Sequence, residues 1–277
     1  MSNLSLGYSP CPNDTFIFYA LTHNRIDTGG IVIKERLFDV ERLNTLALKG
    51  EFDITKISYG VYPFISKDYC LIRSGGAMGR GCGPLLVARK KTPISALRGK
   101  TIAIPGEFTT AFMLLRLYDP LLGKNFKAMR FDKIMPAVRD KEVEAGLIIH
   151  EGRFTYQNYG LREIIDLGKW WEEKTKLPIP LGAIAVKRAL GRELIKKIES
   201  LVRESLLYSM ENPKEPIDYI KLHAQELSDD VIYSHINLYV NNYSVDISDE
   251  GIRAVKALIE SASSLGLFDA PEMDIFI

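Results

Sequence analysis

Short apolar runs alternate with amphipathic stretches through the first half of the chain. Leu4 to Tyr8 reads as a strand, and Ser9-Pro10-Cys11-Pro12-Asn13 as a turn-rich loop. Thr15 to Leu21 follows as an apolar helix with Asp14 placed to cap it. Ile31 to Leu37 is a second strand. A helix capped by Asp39 then runs through Leu48, with Gly50 past its end, before a third strand at Phe52 to Ile57. This β-α-β-α-β order predicts a mainly parallel sheet. The order recurs: strand Lys100 to Ile104, helix Thr109 to Leu117, strand Phe126 to Phe131, helix Asp132 to Arg139 and strand Val143 to Ile149. The phrase Lys49-Gly-Glu-Phe-Asp-Ile54 is echoed by Asp140-Lys-Glu-Val-Glu-Ala145, which favours two related lobes.

Gly83 to Ala88 reads as the crossing out of the first lobe and Pro180 to Val186 as the return. Beyond Ala189 the period becomes helical, at Glu193 to Met210, Lys214 to Gln225, Asp229 to Val240 and Glu250 to Leu265, with Ser228 and Ser248 as expected N-caps. The expected fold class is α/β: a two-lobed, type II periplasmic-binding-protein-like fold with a ligand cleft between lobes. Residues 1–86 with 183–277 form the larger lobe and 87–182 the smaller.

Hydrophobic residues at 46% of 277 positions supply enough apolar surface for both cores. A net charge of +1 gives no electrostatic reason to expect nucleic acid or an anionic membrane as partner. No run approaches the ~20 apolar residues that span a bilayer. The N-terminal residues read directly into a strand with no basic flank, so no signal peptide is expected. Cys11, Cys70 and Cys82 have neither disulfide nor zinc spacing, which suits a reduced, cytoplasmic setting.

Ligands of open parallel sheets sit beyond the carboxyl ends of strands. Four segments therefore become candidates: Ser9 to Thr15, Thr55 to Tyr59, Gly106 to Thr110 and Ile149 to Arg153. Thr109 and Thr110 open a helix, where free amides and two hydroxyls can cradle a carboxylate; Thr109 as a simple cap is the alternative. Asn13 and Asp14 either meet a ligand or only shape a stiff turn. Lys56 either steers a carboxylate or pairs with an acid, and Ser58 and Tyr59 either bond a ligand or satisfy backbone. His150 ends an apolar strand at the cleft and is mostly neutral at pH 7, so it is either a general base or an interface histidine. His23, His223 and His235 lie on helices or their ends and read as structural or surface residues. Cys11 reads as a small buried thiol, and Trp170-Trp171 as a helix anchor.

At these segments the chain resembles the 1,4-dihydroxy-6-naphthoate synthase family of the futalosine route to menaquinone. The resemblance rests on Ser9-Pro-Cys-Pro-Asn-Asp-Thr-Phe16, Thr55-Lys-Ile-Ser-Tyr59, Arg73-Ser-Gly-Gly-Ala-Met-Gly-Arg-Gly81, Thr109-Thr110 and Gly146-Leu-Ile-Ile-His-Glu-Gly-Arg-Phe-Thr-Tyr156. Leu181-Gly-Ala-Ile184 and His223-Ala-Gln-Glu-Leu-Ser228 extend it over nearly the whole chain. It implies conversion of cyclic dehypoxanthine futalosine, a small carboxylated aromatic substrate, to 1,4-dihydroxy-6-naphthoate without metal or organic cofactor. It further implies His150 as general base and contacts to substrate from Thr55, Lys56, Ile57, Thr109 and Thr110, the contact of Ile57 being through backbone or shape. Two other readings share the architecture: a chorismate dehydratase-like enzyme of the same pathway, and a non-catalytic protein that binds small carboxylates.

Overall fold

Two mixed β-sheets, each flanked by helices, organise the chain in a computed structural model that describes residues 3–224 and 228–277. The elements run β1 (Asn3–Tyr8), α1 (Pro12–Thr22), β2 (Val32–Leu37), α2 (Val40–Leu48), β3 (Ile54–Ser58), α3 (Tyr62–Ile65), β4 (Tyr69–Leu71) and β5 (Ala77–Gly79). The second group is β6 (Leu85–Ala88), α4 (Ile94–Leu97), β7 (Ile102–Ile104), α5 (Thr110–Tyr118), β8 (Phe126–Ala128), α6 (Phe131–Arg139), β9 (Ala145–Ile148), α7 (Gly152–Thr155), β10 (Arg162–Asp166) and α8 (Leu167–Thr175). The chain returns through β11 (Ile179–Lys187) to α9 (Arg192–Glu211), α10 (Ile217–His223), α11 (Asp229–Tyr239), α12 (Asn242–Val245) and α13 (Ser248–Ser264).

The first sheet has the order β2-β1-β3-β11-β4, with β5 also paired to β11; the second has the order β10-β6-β9-β7-β8. In the first, β1 lies parallel to β2 and β3, and β11 runs antiparallel to β3. In the second, β7 lies parallel to β8 and β9, and β6 runs antiparallel to β9. The element order repeated in the sequence is thus repeated strand for strand in space. The chain joins the second sheet at Leu85 and pairs again with the first from Ile179. One large apolar cluster draws on both sheets and on α5 and α13, while α1, α9 and α11 cover the first sheet's other face. Gly146 in β9 lets α6 pack close: a Cβ there would meet Ile134 Cγ2 at 2.5 Å.

Several local expectations change. Asp14 does not cap α1. The helix starts earlier, with Cys11 at the cap position and Pro12 as its first residue, because proline's fixed φ suits that place. Asp14 lies inside the first turn. Phe131 opens α6 rather than ending β8, and Ser248 begins α13 with a left-handed φ of 59° instead of preceding it. The helix expected over Lys214 to Gln225 spans Ile217–His223, and Gln225 lies outside the described residues. Asp39 and Thr109 cap α2 and α5 through bonds from the amides of Arg42 and Phe112, as expected. Trp171 is buried and donates to the Pro178 carbonyl at 3.1 Å, so it does anchor α8. All three cysteines are free thiols.

Candidate functional site

The carboxyl ends of β1, β3 and β9 and the start of α5 converge on a cleft. At its floor, Lys56 Nζ lies 2.8 Å from Asp14 Oδ1, with the two side chains 5% and 2% exposed. Asp14 is fully engaged: Oδ2 accepts from the Ser9 amide and hydroxyl, and Oδ1 also accepts from Asn13 Nδ2. Lys56 donates a second hydrogen bond to the Gly75 carbonyl at 2.9 Å. An ammonium has three N–H groups, so one is left for a ligand. Ser58 is fixed by Asn44, which accepts from its amide and donates to its hydroxyl oxygen. Its hydroxyl proton has no acceptor among the described residues and can be given to a ligand.

The second wall is the N-terminus of α5. The Thr109 hydroxyl accepts from the Phe112 amide and donates to the Gly106 carbonyl. Thr110 Oγ1 donates to the Leu181 carbonyl at 2.7 Å and accepts from the Gly60 amide at 3.3 Å. Both hydroxyls are therefore committed to the protein. The amides of Thr110 and Ala111, in the first helical turn, are the groups left to receive an anion. Glu41 on α2 reaches across to accept from the Phe108 amide at 3.1 Å and from Asn44 at 3.1 Å. Burial raises its pKa, opposed by those bonds. Backbone meets backbone nearby, since a Cβ on Gly60 would stand 2.5 Å from the Phe108 carbonyl oxygen.

His150 stands two residues beyond β9 with a left-handed φ of 55°. That conformation costs a non-glycine residue about 1–3 kcal/mol and persists only where its surroundings impose it. Here Arg153 on the following turn bonds the Gly83 carbonyl and Asp166, tying the segment to the second sheet. Removal from water lowers the His150 pKa from 6.5 to about 4; Asp14 and Asp39 raise it and Lys56 lowers it. The ring is neutral at pH 7 and able to take a proton. Beside it, parallel at 12° and 6.0 Å between centroids, lies His235 of α11. Burial and the neighbouring His150 hold His235 well below the usual imidazole range. Its Nε2 is 2.9 Å from Asn13 Oδ1. Cys11 Sγ, a His150 nitrogen and a Glu151 carboxylate oxygen lie within 4.8 Å of one another and could receive a metal. Burial and Glu151 push the Cys11 thiol well up, which keeps it protonated and a poor ligand.

Residues 4–264 match a family model described as menaquinone biosynthesis. The chain belongs to this family. Two curated relatives named 1,4-dihydroxy-6-naphthoate synthase match it over at least 96% of its length. The one from Thermus thermophilus is 50% identical over 277 residues, covering 100% of both chains. The one from Streptomyces coelicolor is 44% identical over 271 residues, covering 96% of this chain and 95% of its own. Among solved structures, a protein of Archaeoglobus fulgidus superposes with a TM-score of 0.89 at 37% identity, covering 96% of this chain and 98% of that one. The aliphatic sulphonate-binding protein of Escherichia coli superposes with a TM-score of 0.68 at 13% identity, covering 99% and 91%. That likeness shows the fold, which is the periplasmic-binding-protein type.

In this member of the menaquinone-biosynthesis family, Asn13, Asp14, Lys56, Ile57, Ser58, Thr109, Thr110 and His150 all line the cleft. Thr55 is not among the lining residues; it is buried within β3, and its hydroxyl donates to the Lys56 carbonyl at 3.1 Å. Sequence reasoning missed Asn44 and Glu41 behind Ser58 and Tyr239 in the cleft wall, while His235, read as structural or surface, is fully buried beside His150. A signal for His235 existed. It occupies an inward position of α11 with Ile232, Ile236 and Tyr239, where an apolar residue is the norm.

Proposed function

We propose that this chain is a 1,4-dihydroxy-6-naphthoate synthase that acts on cyclic dehypoxanthine futalosine, with His150 as general base. The observation that carries the reading is the His150 imidazole in the wall of a cleft that is also lined by Thr110 and Ala111 at the start of α5. The implied substrate has an aryl carboxylate and a ketone beside an acidic C–H. His150 takes that proton, leaving an enolate. A bond to the sugar-derived fragment then breaks, and aromatisation of the new ring drives the step. General-base transfer contributes about 10²–10⁴-fold; positioning in the closed cleft and donors facing the enolate oxygen supply the rest.

In this reading the α5 amides of Thr110 and Ala111 with the Thr109-Thr110 turn form one anion subsite, and Lys56 with Ser58 the other. Asn13 and Asp14 hold Lys56, Ile57 contributes shape, and Thr55 acts through its place in β3. The closing halves are the two sheet bodies, the chain up to β5 with β11 onward, and β6 through α8. The setting is cytoplasmic, the partner is the small substrate alone, and neither metal nor organic cofactor takes part.

The test is product analysis after incubation with cyclic dehypoxanthine futalosine and chelator. The expected result is 1,4-dihydroxy-6-naphthoate from the wild-type chain and at least about 100-fold less from a folded His150→Ala variant. Near-normal turnover by that variant removes His150 from the mechanism. Dehydration of chorismate instead would assign the related activity, and substrate recovered unchanged would make the chain a binding protein.

A further inference from the structure

Neither ring nitrogen of His150 has a hydrogen-bond partner among the described residues, although the residue sits on a strained turn. A base whose nitrogens are unbonded needs another means of fixing its ring plane. Two rings supply it. Phe131, the first residue of α6, lies 5.2 Å from the His150 ring at a tilt of 60°. His235 lies 6.0 Å from the same ring and nearly parallel to it. Both separations fall in the range where ring pairs attract, about 4.5–7 Å between centroids.

The His235 ring is itself fixed. Asp14 can only accept, so Asn13 Nδ2 must donate to it, which turns Asn13 Oδ1 toward His235. Oδ1 is an acceptor, so His235 carries its proton on Nε2. Its Nδ1 then presents a lone pair, buried, 3.8 Å from Glu151 Oε2. The Lys56–Asp14 pair thus sets the Asn13 amide, which sets the tautomer and plane of His235.

We propose that His235 is a positioning residue for His150, forming with Phe131 a ring slot that orients the base. The two walls come from different bodies of the fold. Phe131 belongs with the second sheet, like His150 itself, whereas His235 rides on α11, packed on α1 over the first sheet. The slot is complete only when the two halves are together. Closing over substrate therefore also aligns the base, and an open cleft holds a histidine free to rotate.

This inference rests on the reading of His150 as base, and kinetics with cyclic dehypoxanthine futalosine separate the two. His235→Ala is expected to lower kcat about 100-fold with KM changed little, since loss of alignment rather than of binding is at issue. His235→Phe, which returns a ring without the nitrogens, should recover at least about tenfold of that loss. Phe131→Ala removes the other, half-exposed wall and should show the same selective fall in kcat with an unchanged thermal melt, so it decides the matter even where a His235 variant fails to fold. In NMR spectra of the product complex, the His150 ring signal should be broadened by rotamer exchange in either alanine variant. Unchanged kcat in folded Phe131→Ala or His235→Ala would overturn the slot while leaving His150 as base. A loss carried by KM alone would reassign both residues to binding. Full activity in His150→Ala would instead overturn the proposed function.

Discussion

Replacing Asp14 by asparagine is the sharpest test of how the cleft floor is held. The carboxylate has four donors around it: the Ser9 amide, the Ser9 hydroxyl, the Asn13 amide group and the Lys56 ammonium. Asparagine keeps the shape but carries one oxygen and one NH₂. Its less harmful orientation keeps the oxygen toward Lys56 and Asn13 and turns its NH₂ against the Ser9 amide. That leaves a 5%-exposed ammonium without a counter-charge. Removing one partner of such a pair costs about 3–5 kcal/mol, against a typical total stability of about 5–15 kcal/mol. With an unfolding entropy of about 2.1 cal/mol/K per residue, a chain of 277 residues should lose about 5–9 °C in Tm. Thermal and urea melts of Asp14→Asn check this. The double variant Asp14→Asn with Lys56→Met should regain most of the lost stability, because the stranded charge is gone, yet still bind substrate poorly. A loss below about 1 kcal/mol in the single variant, or no recovery in the double, would refute the view that Asp14 is there to hold Lys56.

Four further outcomes follow from the same geometry. The acid limb of kcat/KM should fall well below 6.5, near about 4, where burial places His150; a limb at 6.5 or above would exclude a desolvated base. In its contribution to stability, His150 is protonated more readily in the unfolded chain, so that contribution is complete above about pH 6.5 and is lost as pH falls toward about 4, readable from urea melts across the range. His150→Gly should be more stable than His150→Ala by about 1–2 kcal/mol, since alanine retains the left-handed penalty; equal stability would mean that the turn relaxes. Thr110→Val strands the Gly60 amide and leaves the Leu181 carbonyl with the Tyr59 amide alone, so it should cost about 1–3 kcal/mol in a melt and weaken closure.

Much of this was legible in the residue order. The doubled β-α-β pattern carries the two sheets, because hydrophobic period and capping are local signals. Asp39 and Thr109 show it: each bonds an amide three residues ahead. His150 was legible as a strand-end residue for the same reason. The start of α1 was misread because Asp14 competes as a cap, while Pro12 at the first helical position carries the stronger local constraint. What local patterns do not hold is proximity. Asn13 and His235 are 222 residues apart in the chain and meet only through the packing of α11 on α1. Likewise the Thr110 hydroxyl, offered to a ligand by sequence logic, is taken by Leu181. Which polar atom is left over for chemistry is a property of the folded network.

At Gly60 the main chains of the two halves come close enough that even one methyl group would collide with the Phe108 oxygen. If the halves close on substrate as proposed, a missing side chain here acts as the stop of a door: it sets how far the jaws can shut. The proposed chemistry, which must keep bulk water from a reactive anion, would depend on that last fraction of travel, so a residue with no side chain would govern the tightness of the seal.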